Sequence, residues 1–459
     1  MLQFSADCLS EIFEYLEEDK TLCSCILVNK LWCKISVRIL WRRIRNYNTL
    51  ITCLPNESKE VLSRNGIIIS TSTSEHPMFN YASFCKYISI YDVNYNIKRF
   101  LYISAQYLLN DNIKVLTNEI FKLLINQIFS LRRLEVNSSS LEQNIVFISQ
   151  PKARYCLNNL TELYCDSDTT NKFFYQLSQI CHNIQILRIS IKNFISDGLA
   201  DLISTQKNLK CLYISQFYVY KKLKIDYNSL TKIPNTLTKL SIHEENYFIP
   251  LSFIGKLTNL QELMISISQI NSFENFKELE YITFSKLQIL EFKYQCPNSE
   301  LLIKFLENNG RNLNEFYIGR SDDSLNSAIK TFCPNLRKLD TGLTNNDMET
   351  LKMFFDNIQC LESIRIYCEG HFNEKNLFEI VVKYSPKNFN ELKLIYANNA
   401  RSQLTPEELE SFFVSWAIRI SQKSLSLVII GNEMRTLNLN SENKKIIEKY
   451  SKFGIVRKS

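Results

Sequence analysis

Few residues in this sequence have the types and spacing that catalysis requires. The four histidines, His76, His182, His243 and His371, lie in widely separated segments. Ser241 and His243 are two residues apart, which would place both on one face of a strand. A nucleophilic serine also needs a group that orients its base, and no serine or cysteine here has such a setting. We therefore predict that the chain is not an enzyme.

Residues at the spacing of metal ligands are equally few. The chain has 14 cysteines without regular spacing. The nearest metal-like pairings are Cys181 with His182 and Cys368 with His371, and neither has the second close pair that a tetrahedral zinc site requires. Cysteines at apolar positions are typical of buried thiols in a reducing compartment. We expect no metal and no other cofactor.

Composition disfavours two further kinds of ligand. Glycine supplies 9 of 459 residues, well below the usual ~7%, so few loops could cradle the phosphates of a nucleotide. The formal net charge is +7, and residues 29–45 alone carry six basic residues and no acid. The remaining chain is nearly neutral and lacks the basic face of a nucleic-acid-binding protein. We interpret the basic segment as a solvated helix face and predict no nucleic-acid partner.

The sequence also shows no membrane signal. No apolar run approaches the ~18 residues of a membrane span. Acidic residues interrupt the first fifteen positions, unlike a secretory signal. We expect a soluble intracellular protein, cytoplasmic, nuclear or both, with no membrane partner.

A repeated phrase, apolar-x-x-apolar-x-apolar, predicts the elements that position the remaining candidate residues. Its second and third apolar residues are two apart, so both point to one face of a short strand. The copies average about 26 residues apart, within the 20–29 range of leucine-rich repeats. They begin at the following residues: Leu131, Leu160, Ile184, Leu209, Leu237, Leu260, Leu287, Leu313, Leu336, Leu361 and Phe389.

The residue between the second and third apolar positions faces the other side of each strand. These residues are Glu135, Tyr164, Arg188, Tyr213, Ser241, Met264, Glu291, Tyr317, Asp340, Arg365 and Lys393. Tyrosine and arginine are enriched at binding hot spots. We predict that a protein substrate contacts Tyr164, Arg188, Tyr213, Tyr317 and Arg365. The pattern equally allows these to be ordinary exposed strand residues.

The N-terminal segment has helical periodicity. Leu9, Ile12, Phe13 and Leu16 follow the i, i+3, i+4, i+7 spacing of one helix face. Two further helical stripes follow, at residues 22–29 and 31–39. Three helices within about 45 residues bury too little surface to be stable alone, so we expect them to dock onto something larger.

These helices resemble an F-box, the motif that binds a Skp-type adaptor and thereby joins a cullin-based ubiquitin ligase. The matching positions are Asp7, Leu9, Ile12, Phe13, Leu27, Val28 and Trp32, whereas Phe4-Ser5 replaces the usual Leu-Pro. The resemblance implies that an adaptor binds Phe4, Leu9, Ile12, Phe13, Leu16, Leu27 and Trp32. The helices could instead be only a cap on a larger domain.

The repeats strengthen this resemblance. Residues 181–209 and 333–336 resemble the cysteine-containing leucine-rich repeats that often follow F-boxes. The chain thus resembles fungal-type F-box proteins with leucine-rich repeats. The expected α/β fold is a three-helix F-box followed by a leucine-rich-repeat solenoid, a horseshoe with a parallel sheet on its concave face.

The resemblance also implies a function. The chain would be the substrate-recognition subunit of an SCF-type (Skp-cullin-F-box) E3 ubiquitin ligase. Its F-box would hold the adaptor, and through it a cullin, while the repeats hold a protein substrate. The alternative is a leucine-rich-repeat interaction scaffold without a ubiquitin-ligase role.

We divide the chain into an F-box at 1–45, a linker with irregular N-terminal repeats at 46–130, leucine-rich repeats at 131–430 and a C-terminal cap and tail at 431–459.

Within the linker, residues 67–69 are predicted to form a strand and residues 97–109 an irregular repeat. Thr405, Pro406 and Glu408 have the types and order of a helix start. Residues 425–430 predict the last strand, and the final residues are expected to be disordered.

Overall fold

The computed structural model describes residues 4–16, 19–69, 77–104, 110–192, 195–216, 228–244, 249–268, 270–419 and 423–458. Two compact units divide the chain. The first consists of Met1–Ser215 and Val219–Thr236, and the second of Gln216–Tyr218 and Leu237–Ser459.

The first unit contains the predicted F-box helices and the first strands. Its helices are α1 (Ala6–Glu14), α2 (Asp19–Ile26), α3 (Lys30–Leu40), α4 (Tyr47–Thr52), α5 (Asn56–Arg64), α6 (Ile90–Ile103), α7 (Asn110–Gln127), α8 (Leu141–Ile148), α9 (Ala153–Leu157), α10 (Asn171–Ser178) and α11 (Asp197–Ser204). Its strands are β1 (Tyr87–Ser89), β2 (Arg133–Val136), β3 (Glu162–Asp166), β4 (Ile186–Ile191) and β5 (Cys211–Gln216). Short 3-10 helices lie at Tyr81–Phe84, Ser138–Ser140 and Asn228–Lys232.

The strands of the first unit follow one another in sequence order across the sheet. Strands β1 to β4 pair in parallel, and Leu134, Leu163 and Leu187 lie side by side in register. A bridge between Arg43 and Tyr87 continues this order back to the end of the F-box helices. Consecutive repeats therefore present equivalent residues in rows.

The second unit continues the same alternation. Its helices are α12 (Ser299–Asn309), α13 (Asp323–Phe332), α14 (Met348–Asn357), α15 (Lys375–Tyr384), α16 (Pro406–Ala417) and α17 (Ser441–Lys452). Its strands are β6 (Lys239–Glu244), β7 (Glu262–Ile267), β8 (Ile289–Tyr294), β9 (Glu315–Tyr317), β10 (Lys338–Asp340), β11 (Ser363–Cys368), β12 (His371–Phe372), β13 (Glu391–Tyr396), β14 (Arg401–Ser402), β15 (Leu425–Ile430) and β16 (Val456–Lys458). Its 3-10 helices lie at Ser252–Lys256, Ile270–Leu279, Gly310–Asn312 and Leu437–Leu439.

In this unit β6 to β11 lie in sequence order, followed by β13, β15 and β16, while β12 and β14 form a separate pair. The pairing of β16 with β15 corrects the prediction of a disordered tail, since Val456 lies opposite Leu425. The helix start at Thr405 is a full capping box with proline in the first turn.

Burial of the repeat phrase holds each unit together. All three apolar positions of all eleven copies are buried, including Leu134, Leu163 and Leu187. A fully buried leucine contributes about 1.5–3 kcal/mol relative to an exposed one. The leucine-rich-repeat arrangement predicted from the sequence is therefore confirmed, because every copy of the phrase contains a parallel strand.

Backbone hydrogen bonds join one strand entry to the next. The carbonyl of Arg132 accepts from the amides of Thr161 and Glu162, at 3.0 and 2.9 Å. The carbonyl of Thr161 in turn accepts from Gln185 and Ile186, at 2.8 and 3.0 Å. Similar paired bonds recur along both units, so the repeats are connected without a repeated asparagine side chain.

Two local predictions are wrong. Residues 67–69 do not form a strand, although Ile67 is buried. Residues 97–103 belong to α6, whose Val93, Ile97 and Leu101 are buried at helical spacing; residues 105–109 lie outside the described residues. Among the described residues, no helix is long and apolar enough to cross a membrane.

Candidate protein-binding surfaces

The first three helices share their own apolar core. Leu9, Phe13, Leu22, Cys25, Ile35 and Leu40 form one buried cluster, against which Leu16 and Trp32 pack. The rings of Phe13 and Trp32 meet edge to face, with centroids 5.0 Å apart. Ser5 caps α1 and Asn29 caps α3, each accepting a hydrogen bond from a backbone amide.

Burial separates the predicted adaptor-binding residues into three groups, buried, half-buried and exposed. Leu9 and Phe13 are only 3% and 2% exposed, so they stabilise the helices and offer almost no surface. Phe4, Ile12 and Leu27 are 65%, 47% and 87% exposed. The adaptor-binding set stays a prediction: Leu9 and Phe13 belong to the core, Leu16 and Trp32 are half-buried against it, and the exposed group is the candidate contact surface.

Two exposed apolar residues were missing from the prediction. Tyr15, which directly follows α1, and Val28, which lies between α2 and α3, are both exposed. Tyr15 lies outside the periodic stripe of α1, and a large apolar residue off the buried stripe is the signal that could have identified it. Together with Phe4, Ile12 and Leu27 they are the exposed large apolar residues of this segment, and we call this set the apolar helix surface.

The basic segment 29–45 is more than a solvated face. Arg42 forms an ion pair with Glu14 on α1, and Arg45 donates to Asp19 on α2 at 2.7 Å. These contacts tie the chain beyond α3 back to the two preceding helices. Lys30 and Lys34 remain exposed on α3, as predicted for the whole segment.

An alternating series of arginines and tyrosines crosses the first unit. We define the open face of each unit as the side of its sheet that carries the exposed and half-buried strand residues, opposite the buried apolar ones. On this face the ring of Tyr87 lies between Arg43 and Arg133, at 5.3 and 5.0 Å from the guanidinium carbons. Arg133 is also 4.7 Å from the ring of Tyr164.

The series continues through three of the predicted substrate-binding residues. Arg188 lies 5.1 Å from the ring of Tyr164 and 4.0 Å from that of Tyr213. The parallel register places Tyr164 directly beside Arg188. We call the six residues from Arg43 to Tyr213 the Arg–Tyr ladder. Sequence reasoning missed Arg43 and Tyr87 because they precede the regular repeats, and missed Arg133 because it lies before the second apolar position and not after it.

The arginines of this ladder differ in whether a carboxylate pairs with them. Arg133 donates from Nε to Glu162 at 2.6 Å, which satisfies that guanidinium in part. Glu135 has a raised pKa, first because of its burial and then because of Asp92. Among the described residues, no carboxylate forms an ion pair with Arg188, which is exposed. Arg188 is therefore the ladder arginine best placed to donate to a partner.

The open face of the second unit carries the other two predicted residues. Arg365 forms an ion pair with buried Asp340 at 2.5 Å. Burial raises the pKa of Asp340, while Arg365 opposes that rise. Tyr317 donates to Glu315 at 2.7 Å, and its pKa is raised by burial and then by that hydrogen bond. Both predicted residues thus already have internal partners.

Among the candidate catalytic groups that the structure describes, one histidine is paired and several cysteines are buried. His243 Nδ1 lies 2.9 Å from Ser266 Oγ on the neighbouring strand. Burial raises the pKa of Cys156, Cys181 and Cys333 to about 12, which leaves little nucleophilic thiolate at neutral pH. Within the described parts of the chain, no three His, Cys, Asp or Glu side chains are grouped as metal ligands.

Comparison with known proteins identifies the first helices. Residues 6–47 match the F-box-like family model. No curated protein sequence matches the chain. The crystal structure of the Rad7 and Elc1 complex in yeast is similar over 79% of this chain and 85% of that chain, with 15% identity and a TM-score of 0.42. The leucine-rich repeat-containing protein LegL7 from Legionella pneumophila is similar over 65% of this chain and 93% of its own, with 13% identity and a TM-score of 0.37.

Proposed function

We propose that this chain, in which an F-box-like domain precedes leucine-rich repeats, is the substrate-recognition subunit of an SCF-type E3 ubiquitin ligase. The observation that supports this most directly is the apolar helix surface. The F-box core is complete without Phe4, Ile12, Tyr15, Leu27 and Val28, yet all five are exposed. Five exposed large apolar residues within positions 4–28 offer apolar side chains of the kind that protein-binding sites use. Its proposed occupant is a Skp-type adaptor, which would connect the chain to a cullin.

The open face of the first unit is the proposed substrate surface. Tyrosine and arginine are common anchors of protein interfaces, and the Arg–Tyr ladder concentrates them across neighbouring strands. The chain itself would carry out no chemistry. It would raise the effective concentration of a bound substrate near a ubiquitin-charged enzyme. This role implies a cytoplasmic or nuclear location.

Adaptor binding provides the first test. Leu27→Asp should abolish capture of a purified Skp-type adaptor, since it puts a charge into an apolar contact without touching the core. Tyr175→Asp, at an exposed aromatic residue of α10, is the matched control and should bind like the unmodified chain. Circular dichroism would check that both variants are folded.

Recruitment of the cullin provides the second test. A cullin should co-purify with the chain only when the adaptor is present, and Leu27→Asp should remove both. If the unmodified chain binds no Skp-type adaptor, the ligase proposal is wrong. Retention of repeat-bound partners in that case would favour the interaction scaffold without a ubiquitin role.

A further inference from the structure

A cavity lies where the F-box helices meet the first strand of the sheet. It has a volume of about 360 Å³, a size common among small-molecule sites. Helices α1 and α3, the 3-10 helix at Tyr81–Phe84 and the residue before β1 all contribute to its wall. Its polar lining comprises Asp7, Ser10, Arg38, Arg42, Ser83 and Lys86.

The backbone brings the basic residues together. The amide of Lys86 donates to the carbonyl of Arg42 at 2.8 Å, and the amide of Arg132 donates to the carbonyl of Lys86 at 2.9 Å. Neighbouring parallel strands lie about 4.8 Å apart. Arg42, Lys86 and Arg132 therefore lie side by side, each next to the N-terminal end of a neighbouring strand or bridge. Arg38 lies one helical turn before Arg42 and lines the same cavity.

Carboxylates neutralise this cluster only in part. Arg42 is paired with Glu14, and among the described residues Asp7 is the one carboxylate that lines the cavity. Arg38 is exposed and lies 6.0 Å from the ring of Phe84, but no described carboxylate pairs with it. Lys86 donates from Nζ to the carbonyl of Ser130 at 3.1 Å, which leaves two of its three donors for a ligand.

The basic side chains of this cluster repel one another, which favours the binding of an anion among them. The pKa of Lys86 is lowered, first by burial and then by Arg132 and Arg42. An anion bound among these side chains would relieve that repulsion. The floor of the cavity includes Ile35, which is buried, so the site is a recess between elements.

We propose that this cavity binds a compact phosphate-bearing anion, held by Arg38, Arg42 and Lys86. Arginine matches phosphate oxygens with paired donors, and lysine adds a point charge. The hydroxyl group of Ser10 lies in the same lining and can donate a further hydrogen bond, whereas Ser83 Oγ already donates to the carbonyl of Asn80 at 2.7 Å. Because its walls come from the F-box and from the chain entering β1, the ligand would brace these parts of the first unit against each other.

Calorimetric titration of the full chain with inorganic pyrophosphate, at constant ionic strength, tests the proposal. Saturable binding is expected. Arg38→Gln should weaken it about tenfold or more, the usual effect of losing one charged hydrogen bond. Lys34→Gln removes the same charge from an exposed position on the same helix and should leave the affinity unchanged. Asp7→Asn removes the opposing carboxylate and should strengthen binding.

The source of the phosphate group can be separated in the same way. Vesicles containing phosphatidylinositol 4,5-bisphosphate would retain the chain, dependent on Arg38, if the phosphate belongs to a lipid headgroup. Pyrophosphate binding without vesicle retention would identify a soluble anion. Absence of saturable pyrophosphate binding, or equal losses in Arg38→Gln and Lys34→Gln, would overturn the proposal. None of these outcomes depends on adaptor binding.

Discussion

Arg188 lies over the ring of Tyr213, with 4.0 Å between its guanidinium carbon and the ring centroid. The ring of Tyr164 is 5.1 Å from the same guanidinium on the neighbouring strand. Stacking uses the faces of a guanidinium and leaves its in-plane N–H groups available as donors. The two tyrosines therefore hold Arg188 with its N–H groups accessible, as the proposed substrate surface requires.

Replacing Arg188 should separate binding from stability. Arg188→Ala is expected to lower the free energy of unfolding by no more than about 1 kcal/mol, because exposed cation–π contacts are weak. The same change should strongly reduce substrate capture. Urea denaturation and quantitative mass spectrometry of captured proteins would measure the two effects.

Arg188→Lys is the informative comparison. Lysine keeps the charge but loses the planar stack, so partial capture is expected. Lys207→Ala, at an exposed residue outside the ladder, controls for loss of a positive charge. An unchanged capture profile in Arg188→Ala would contradict a binding role for the ladder.

Neighbouring residues of α1 should behave differently when truncated. Phe13→Ala removes a buried ring packed on Trp32 and should cost about 3–5 kcal/mol of F-box stability. Ile12→Ala should cost much less and instead weaken adaptor binding. Urea titration followed by tryptophan fluorescence, alongside adaptor pull-down, would distinguish them. Equal destabilisation by both changes would show that Ile12 also belongs to the core.

Glu244 should make the second unit less stable as pH rises. Burial raises the pKa of Glu244 to about 8, although it accepts a hydrogen bond from the amide of Ile249. Since the folded pKa exceeds the unfolded value of about 4.5, folding takes up a proton. The contribution of Glu244 to the free energy of unfolding should be most favourable below pH 4.5. It should then fall by up to about 1.4 kcal/mol per pH unit towards pH 8.

Glu244→Gln keeps an acceptor but cannot ionise. Its urea midpoints at pH 5, 6.5 and 8 should therefore vary less than those of the unmodified chain. Comparing the two proteins cancels the contribution of every other titrating group. Parallel pH profiles would show that Glu244 does not carry this dependence.

Exposed cysteines should react with an alkylating reagent faster than buried ones. Cys8, Cys23 and Cys360 are exposed and should react first with iodoacetamide at pH 8. Cys156 and Cys181 are buried, with pKa values raised to about 12, and should react only after unfolding. Peptide mapping with and without urea would measure this order, and early labelling of Cys181 would contradict it.

The regular part of the fold could be predicted because its signal is local and repeated. Each phrase such as Leu160-Leu163-Cys165 specifies a strand and its buried face, and the period specifies the succession of strands. The helix start at Thr405 was equally predictable, since the capping box uses neighbouring residues. By contrast, residues 67–69 are apolar without forming a strand, because burial alone does not supply a pairing partner.

The sequence by itself determined the repeat, the F-box resemblance and the residues that alternate on the open face. Only the tertiary structure decided which of them are available to a partner. Ile12 and Phe13 are adjacent in sequence, yet one is exposed and the other is in the core. Arg188 and Arg365 occupy equivalent strand positions, yet buried Asp340 pairs only with Arg365. The physical reason is that the charge and packing around a side chain come from residues distant in sequence, which no local period encodes.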